Sequence, residues 1–214
     1  MKDFPVFATD YGVSSLILRE VPYRQEAYIH IQDVDPEGME PHLKECVSFC
    51  RMAGAEKVYA TGSEALEHYP HAMSLVLMRG TAWVDTEKLC NLFPVTEATV
   101  SRWRELYNIK MKDVDTARTL TTREETEMLQ SGGAYFIHDN GTLLGIGWLE
   151  DTKLLAVAAA VPGAGERVMH TLMSLVEGAD MTIEVASTNE KAIRLYEKLG
   201  FLKTREVTRW YKVL

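Results

Sequence analysis

The chain of 214 residues is 46% hydrophobic and 25% charged, the balance of an ordinary soluble globular protein. No run approaches about 18 consecutive apolar residues, and the first residues lack the basic start and apolar stretch of a signal peptide, so we expect neither a membrane span nor a leader. Aspartate and glutamate outnumber lysine and arginine by 31 to 23, and the formal charge of −8 argues against a protein that binds nucleic acid.

The three cysteines, Cys46, Cys50 and Cys90, do not form a disulfide framework. Cys46 and Cys50 are four residues apart on a predicted helix, so they share one face, and His42 precedes them by one turn. Nothing nearby completes a tetrahedral metal site, so we interpret the cysteines as small apolar residues and expect no metal. Reduced thiols are typical of the cytoplasm, where we expect the protein to act.

Residues 1–91 form a first predicted region with a β-β-α-β-β pattern. Apolar residues recur at helical spacing from His42, and Gly54 is a natural stop for that helix. Alternation of apolar and polar residues, or short apolar runs, indicates the strands. These four strands are predicted at 14–21, 25–34, 57–60 and 73–78.

Residues 92–214 form a second predicted region, in which a short extended segment at 93–97 precedes two helices. One helix carries Trp103 and Tyr107 on a single apolar face. The other begins with Thr122 as its N-cap and Glu125 completing a capping box, and it ends at Gly132 and Gly133. The elements that follow are a hairpin around Asn140 and Gly141, a strand at 153–161, a helix at 166–177, a strand at 181–186, a helix at 189–198 and a final strand or strand pair at 201–214. Gly200 is expected to end the helix at 189–198 in a left-handed conformation.

The burial of several residues can be predicted from the same patterns. The run at 153–161 is continuously apolar, which predicts a strand buried on both faces. Trp103 and Trp148 fall at core positions. His170, in the helix after this strand, is expected at the surface.

The most informative segment is 183–201, which reads IEVASTNEKAIRLYEKLGF. It resembles the strand-loop-helix signature of the GCN5-related N-acetyltransferases (GNAT), roughly L-E-V-x-x-x-N-x-x-A-x-x-L-Y-E-K-x-G-F. Polar as well as apolar positions match, and the order of elements before the segment fits as well, so the resemblance covers 92–214. The matching residues are Glu184, Val185, Asn189, Ala192, Leu195, Tyr196, Glu197, Lys198, Gly200 and Phe201.

The resemblance implies an α/β (α+β) fold of the GNAT acyl-CoA N-acyltransferase type, with a mixed central sheet flanked by helices. Residues 1–91 lie outside it, and we interpret their β-β-α-β-β pattern as a truncated, degenerate GNAT-like half. Because the signature is missing there, we expect this region to be non-catalytic. It would either restrict the acceptor site or form the surface of a homodimer.

The resemblance also implies an enzyme, an N-acetyltransferase that moves an acetyl group from acetyl-CoA, its cosubstrate, to a primary amine of a small molecule or peptide. In this family the amine attacks directly within a ternary complex. Tyr196 matches the tyrosine that serves as general acid, and a phenol can protonate a departing thiolate. Glu184 matches a glutamate that takes the proton of the amine, directly or through water, and Glu150 is a second candidate base.

Asn189 and Tyr196 are seven residues apart on a predicted helix, which places them on nearly the same face. Asn189 follows a strand and precedes the helix, so its side chain can cap Ala192 or bind a ligand amide. In family members this asparagine contacts the pantetheine arm or its surroundings, and both roles stay open.

The phosphate-binding loop departs from the family's pattern. Family members place small residues, Q/R-x-x-G-x-G/A, at a helix N-terminus, where free N–H groups and the helix dipole favour an anion. Here the segment reads VPGAGERVMHTLMSL, and the two family glycines fall at Arg167 and Met169. The resemblance places the cofactor on Ala159, Val161, Gly163, Gly165, Glu166, Arg167, Val168, Met169 and Asn189.

Two interpretations of this loop stay open. Gly163 and Gly165 can rebuild the phosphate cradle with Arg167 adding positive charge, although Glu166 would repel the phosphates. Alternatively the loop is degenerate, and the chain is a catalytically degenerate GNAT-fold module that binds CoA or interacts with another protein.

Overall fold

The computed structural model describes residues 5–214. Residues 1–4 lie outside the described residues. They include the start of the first predicted region and part of the segment from which we expect no leader. The chain forms two compact units. The first comprises the chain up to Ser74 together with Thr208–Leu214, and the second comprises Leu75–Val207.

The secondary structure follows the predicted order and adds two elements of four residues, β1 and α1, which are too short to show a period. The strands are β1 (Val6–Thr9), β2 (Gly12–Ile17), β3 (Glu26–Val34), β4 (Lys57–Thr61), β5 (His71–Thr81), β6 (Asn91–Pro94), β7 (Ala134–Asp139), β8 (Thr142–Glu150), β9 (Lys153–Ala159), β10 (Asp180–Ala186) and β11 (Leu202–Lys212). The helices are α1 (Val21–Arg24), α2 (Met39–Met52), α3 (Val100–Met111), α4 (Thr122–Ser131), α5 (Gly165–Met173) and α6 (Glu190–Lys198).

In the first unit, β1 to β4 lie side by side in chain order. β3 and β4 are parallel and are connected by α2, whose apolar face packs on the sheet with Leu43 and Cys46 almost fully buried. The end of β11 pairs with β4, where Tyr211 lies opposite Ala60. The β-β-α-β-β pattern predicted for this part of the chain is therefore present in β2, β3, α2, β4 and β5.

The cysteines of α2 are core residues, as predicted. Cys46 and Cys50 are fully buried, and burial raises the pKa of the two thiols to about 11 and about 12. His42, also fully buried, has its Nδ1 2.7 Å from the Thr9 hydroxyl and its Nε2 2.7 Å from the Ser14 hydroxyl. No group of three or more His, Cys, Asp or Glu side chains within 5–214 is arranged to hold a metal ion, and none of the helices there is long and apolar enough to cross a bilayer.

In the second unit, the strand order is β5-β10-β9-β8-β7-β6, with β9 and β10 parallel and the other neighbours antiparallel. Successive residues of a strand face opposite sides of a sheet. Phe136 and Trp148 accordingly pack with α3 and α4, whereas Ile137 and Leu149 pack with α5 and α6. Helices thus cover both faces of this sheet.

Strand β5 explains where the two units divide. It pairs with β10 from Leu75 to Thr81, so this part of the strand belongs to the second unit. The chain therefore changes units at residue 75, whereas the boundary expected from the sequence lies at 91/92. Pairing between strands so far apart in the chain leaves no local pattern in the sequence.

The start of α4 differs from the prediction by one residue. Thr121 is the N-cap rather than Thr122, and its Oγ1 accepts from Arg123 N–H (3.4 Å). Glu124 accepts from Thr121 N–H (2.8 Å) and completes the capping box in place of Glu125. The predicted end is confirmed, because Gly132 adopts a left-handed conformation with φ 66° there.

The surface position predicted for His170 is wrong. The side chain is fully buried, because the segment that follows β5 covers this part of α5. Asp85 N–H donates to His170 Nδ1 (3.3 Å), and the ring lies edge-on to Trp83 with centroids 4.7 Å apart. The core positions predicted for Trp103 and Trp148 are confirmed, since they are 0% and 5% exposed.

Candidate active site

The candidate site lies where two neighbouring parallel strands separate. β9 and β10 have seven residues each, yet they pair at two positions only, Thr182 with Lys153 and Ile183 with Leu154. β9 carries a bulge at Leu155, since Trp148 of β8 lies opposite Ala156 while the next residue lies opposite Leu154. A bulge bends its strand and disrupts the local ladder. Beyond it, the facing edges of β9 and β10 are not paired with each other.

The gap changes the burial of β9. Leu155 is 37% exposed and Val157 is half-buried, so the strand is not buried on both faces as its apolar sequence predicts. Leu155, Ala156 and Val157 instead line a pocket of about 320 Å³. β10 and α6 supply the opposite wall with Glu184 and Tyr196.

Tyr196 is held at this pocket by α6. The residue is 5% exposed, and its ring packs beside Phe201 with centroids 6.2 Å apart. Within the described part of the chain, its hydroxyl has no hydrogen-bond partner. Burial raises the pKa of this phenol, so the group keeps its proton at neutral pH and can act as a donor toward the pocket.

Asn189 caps the helix that carries Tyr196. Its Oδ1 accepts from Ala192 N–H (3.2 Å), so the capping role predicted from the sequence is confirmed. The side chain also lines the pocket, where its amide N–H₂ stays available for a ligand. At the other end of α6, Gly200 adopts φ 88°, the left-handed conformation predicted for it.

Glu184 lies at the mouth of the gap. Its carboxylate is 2.9 Å from the Lys153 ammonium, and its side chain is 33% exposed. It lines the first pocket and also a second one of about 280 Å³, to which Lys153 and Trp148 contribute. Glu150, the other candidate base, is exposed at the end of β8 and lines neither pocket.

The predicted phosphate loop follows β9 and leads into α5. Gly163 has φ 81° with open space where a side chain would begin, whereas a Cβ on Gly165 would lie 3.1 Å from Leu195 of α6. The first backbone bond of the helix runs from Val168 N–H to Ala164 O (2.9 Å). The N–H groups of residues 165–167 precede that bond and are the donors a helix N-terminus offers to an anion.

The charges around this loop are paired in a way the sequence does not reveal. Glu166 lies between Lys198 and Lys88, each 2.6 Å from one of its oxygens, and these hydrogen bonds lower its pKa to about 2. Arg167 donates to Asp139 Oδ2 (2.9 Å). The arginine expected to face the phosphates is therefore bound to a carboxylate, and two lysines bring positive charge to the start of α5.

The remaining predicted cofactor residues fall into two groups. Ala159 and Val161 are half-buried at the end of β9 and just beyond it, where the gap is open. Val168 and Met169 are fully buried, so their side chains belong to the core rather than to a ligand site. Of the nine residues predicted to hold the cofactor, Asn189 lines the pocket between β9 and β10.

The structure adds site residues that lie in the connection between α3 and α4. Asp115 and Arg118 line the first pocket, together with Tyr107 from α3. Thr188, next to α6, donates its hydroxyl to Asp115 Oδ2 (2.7 Å), which ties this connection to the β10 side of the gap. These residues precede the signature segment by many positions, and no motif in the sequence marks them.

Comparison with solved structures finds close agreement in fold at low sequence identity. A GCN5-related N-acetyltransferase from Anabaena variabilis superimposes with a TM-score of 0.63 at 12% identity, over 99% of this chain and 62% of the other. One from Kribbella flavida gives 0.57 at 16% identity, over 99% and 89%. A GNAT-family acetyltransferase from Colwellia psychrerythraea gives 0.55 at 13% identity, over 97% and 84%.

The sequence comparisons add nothing to this result, because no protein-family model and no curated protein matches the chain. At 12–16% identity the structural likeness establishes the fold. The fold predicted from the signature segment is thereby confirmed: the chain has the fold of the GCN5-related N-acetyltransferases.

Proposed function

We propose that the protein is an N-acetyltransferase, which moves an acetyl group from acetyl-CoA to a primary amine of a small molecule or peptide by direct attack within a ternary complex. The observation that carries the proposal is the gap between β9 and β10, onto which the unpartnered hydroxyl of Tyr196 faces. Because the phenol makes no hydrogen bond within the described residues, it can donate to a ligand that enters the pocket.

The residues around the gap fit a bound acetyl-CoA, which would supply the thioester carbonyl that the amine attacks. The edge of β9 beyond Leu154 offers backbone groups to the pantetheine arm, and Ala159 and Val161 continue that edge. Ala156, which lines the pocket, leaves room beside it because its side chain is small. At the start of α5, the N–H groups of residues 165–167 form the cradle for the pyrophosphate.

Two side chains carry the proton transfers in this proposal. Tyr196 donates its proton to the departing thiolate, a role for which a protonated phenol at neutral pH is suited. Glu184 accepts the proton of the amine through water, since its carboxylate faces the pocket but is bound by Lys153.

One observation favours a second candidate, a catalytically degenerate module that binds CoA or another protein. A carboxylate, Glu166, lies in the first turn of α5, where phosphates would bind, and Arg167 is engaged by Asp139. Against it stands the bonding of Glu166 by Lys88 and Lys198, which offsets the negative charge of this carboxylate at the start of α5.

The test is the release of thiol from acetyl-CoA in the presence of a panel of primary amines. The wild-type protein is compared with Tyr196→Phe and with Tyr135→Phe, a control in the same unit that lies outside both pockets. The proposal predicts amine-dependent release that Tyr196→Phe slows by about a hundredfold or more, without weakening acetyl-CoA binding. Binding of acetyl-CoA without turnover for any amine would favour the second candidate.

A further inference from the structure

Two cationic side chains, Arg118 and Lys153, line the two pockets, and Arg118 is the one that forms no close ion pair. It lines both pockets, and its side chain is 49% exposed. Its nearest acidic group is Glu124, at 3.9 Å, and Glu124 already bonds the N-cap of α4 through its other oxygen. Within residues 5–214, the guanidinium of Arg118 makes no hydrogen bond, so its five donors are available to a ligand.

The other charged groups of the two pockets are Lys153, Glu184 and Asp115. Lys153 and Glu184 neutralise each other at 2.9 Å. Asp115 accepts the Thr188 hydroxyl and has no cationic partner among the residues that the structure describes. Apart from this ion pair, the site therefore presents one carboxylate, Asp115, that can attract an ammonium group and one guanidinium, Arg118, that can bind an oxyanion. This arrangement matches a zwitterion rather than a simple polyamine.

Arg118 is placed to bind the acceptor rather than the phosphates of CoA. It shares the second pocket with Lys153, Leu154 and Glu184, where β9 and β10 are still paired. The phosphate loop follows Ala159 at the opposite end of β9. At about 3.3 Å per residue, the seven residues of β9 separate the two ends by roughly 20 Å.

We propose that the acetyl acceptor is an amine that also carries a carboxylate, of the size of a free amino acid, and that Arg118 binds this carboxylate. The inference rests on the proposed acetyltransferase function and names its substrate class. The planar guanidinium fork matches a carboxylate with two parallel hydrogen bonds, which a lysine cannot reproduce. The amino group of the same molecule then lies toward Glu184 and the thioester.

The experiment compares matched pairs of acceptors that differ only in the carboxylate. Lysine is paired with cadaverine, ornithine with putrescine and phenylalanine with phenethylamine, and thiol release from acetyl-CoA is measured for each. We expect kcat/KM to be higher for the amino acid in at least one pair. Phosphoethanolamine against ethanolamine is the further pair, because a phosphate could also bind the guanidinium.

Arg118→Gln removes the charge, Arg118→Lys keeps it without the fork, and Arg205→Gln is the control, an exposed arginine of β11 outside both pockets. We expect Arg118→Gln to raise KM for the amino acid by about tenfold to a hundredfold, with KM for the decarboxylated amine and for acetyl-CoA unchanged. Arg118→Lys should recover part of the loss. Thermal unfolding verifies that each variant is folded.

Two kinds of result would overturn the inference, and the second would also overturn the proposed function. If decarboxylated amines or phosphoethanolamine are the better substrates, or if Arg118→Gln and Arg118→Lys affect both members of a pair equally, the acceptor class is wrong while the acetyltransferase function stands. If no amine gives thiol release and acetyl-CoA does not bind, the proposed function fails and this inference fails with it.

Discussion

Lys153 Nζ lies 2.9 Å from Glu184 Oε1, beside the two residue pairs that join β9 and β10. One strand supplies the cation and the other supplies the carboxylate, so the ion pair bridges the point from which the strands diverge. Partly exposed pairs of this kind add little stability. The pair instead positions a carboxylate at the mouth of the gap, which is where a base for an incoming amine would be needed.

Replacement of Glu184 by glutamine tests the assignment of the base. Glu184→Gln keeps the size of the side chain and removes its basicity, so we expect kcat to fall by about a hundredfold or more with acetyl-CoA affinity unchanged. Glu150→Gln, measured under the same conditions, separates the two candidates, and Glu177→Gln provides a surface control. A greater loss in Glu150→Gln than in Glu184→Gln would contradict the assignment.

Gly163 and Gly132 form a matched pair for the phosphate loop. Both have positive φ, 81° and 66°, and at both a Cβ would project into open space. An alanine at either position should therefore destabilise the protein by about 1–2 kcal/mol through backbone strain alone. We expect calorimetry to show weaker acetyl-CoA binding for Gly163→Ala only. Equal affinities for the two variants would place the phosphates elsewhere.

Removal of the charge of Glu166 tests whether α5 receives phosphates. Glu166→Gln removes the carboxylate 2.6 Å from Lys88 and Lys198 and leaves Lys88 paired with Asp85, at 3.2 Å. The start of α5 then carries one more positive charge, so acetyl-CoA affinity should increase by severalfold at low salt and less at high salt. Glu190→Gln, which breaks an exposed pair with Arg194 on α6, is the control. A decrease in affinity for Glu166→Gln would show that the carboxylate organises the site rather than opposing the phosphates.

His42 predicts a pH dependence of stability in the first unit. Burial lowers its pKa below the ordinary value of about 6.5, so the unfolded chain binds a proton before the folded one does. The corresponding stability is fully present above about pH 6.5 and is lost as the pH falls toward the folded pKa. Urea unfolding between about pH 5 and pH 8 should show the full slope for the wild type and for His30→Gln, an exposed control, and a smaller slope for His42→Gln, in which the contribution of His170, whose pKa burial also lowers, remains. The same slope in His42→Gln would assign it to other groups.

The parts that could be predicted from the sequence are those with local causes. The signature around Asn189 and Tyr196 combines a cap, an apolar helix face and a C-terminal glycine, and α6 shows each of them. The error at α4 arose because two threonines are adjacent, and either can begin a capping box. In α4 and α6 such patterns determine the type of the element and its ends within about one residue, whereas the strand predicted at 14–21 lies at Gly12–Ile17, where no cap marks the ends.

The parts that escaped prediction depend on contacts between distant segments. The bulge at Leu155 opens β9 to solvent although its sequence is that of a fully buried strand. His170 is buried because a segment far from it in the chain covers α5. Arg118 faces the site because the connection between α3 and α4 lies over the gap, and no spacing in the sequence relates it to Glu184.

In the proposed function, acetyl-CoA binds in the gap between β9 and β10. Amide hydrogen exchange of the wild-type protein with and without acetyl-CoA tests it most directly, because the β10-facing edge of β9 has no strand partner beyond Leu154. We expect slower exchange at residues 155–161 and 165–167 at micromolar acetyl-CoA, with the first unit unaffected. Unchanged exchange at millimolar acetyl-CoA, or protection confined to other segments, would contradict it.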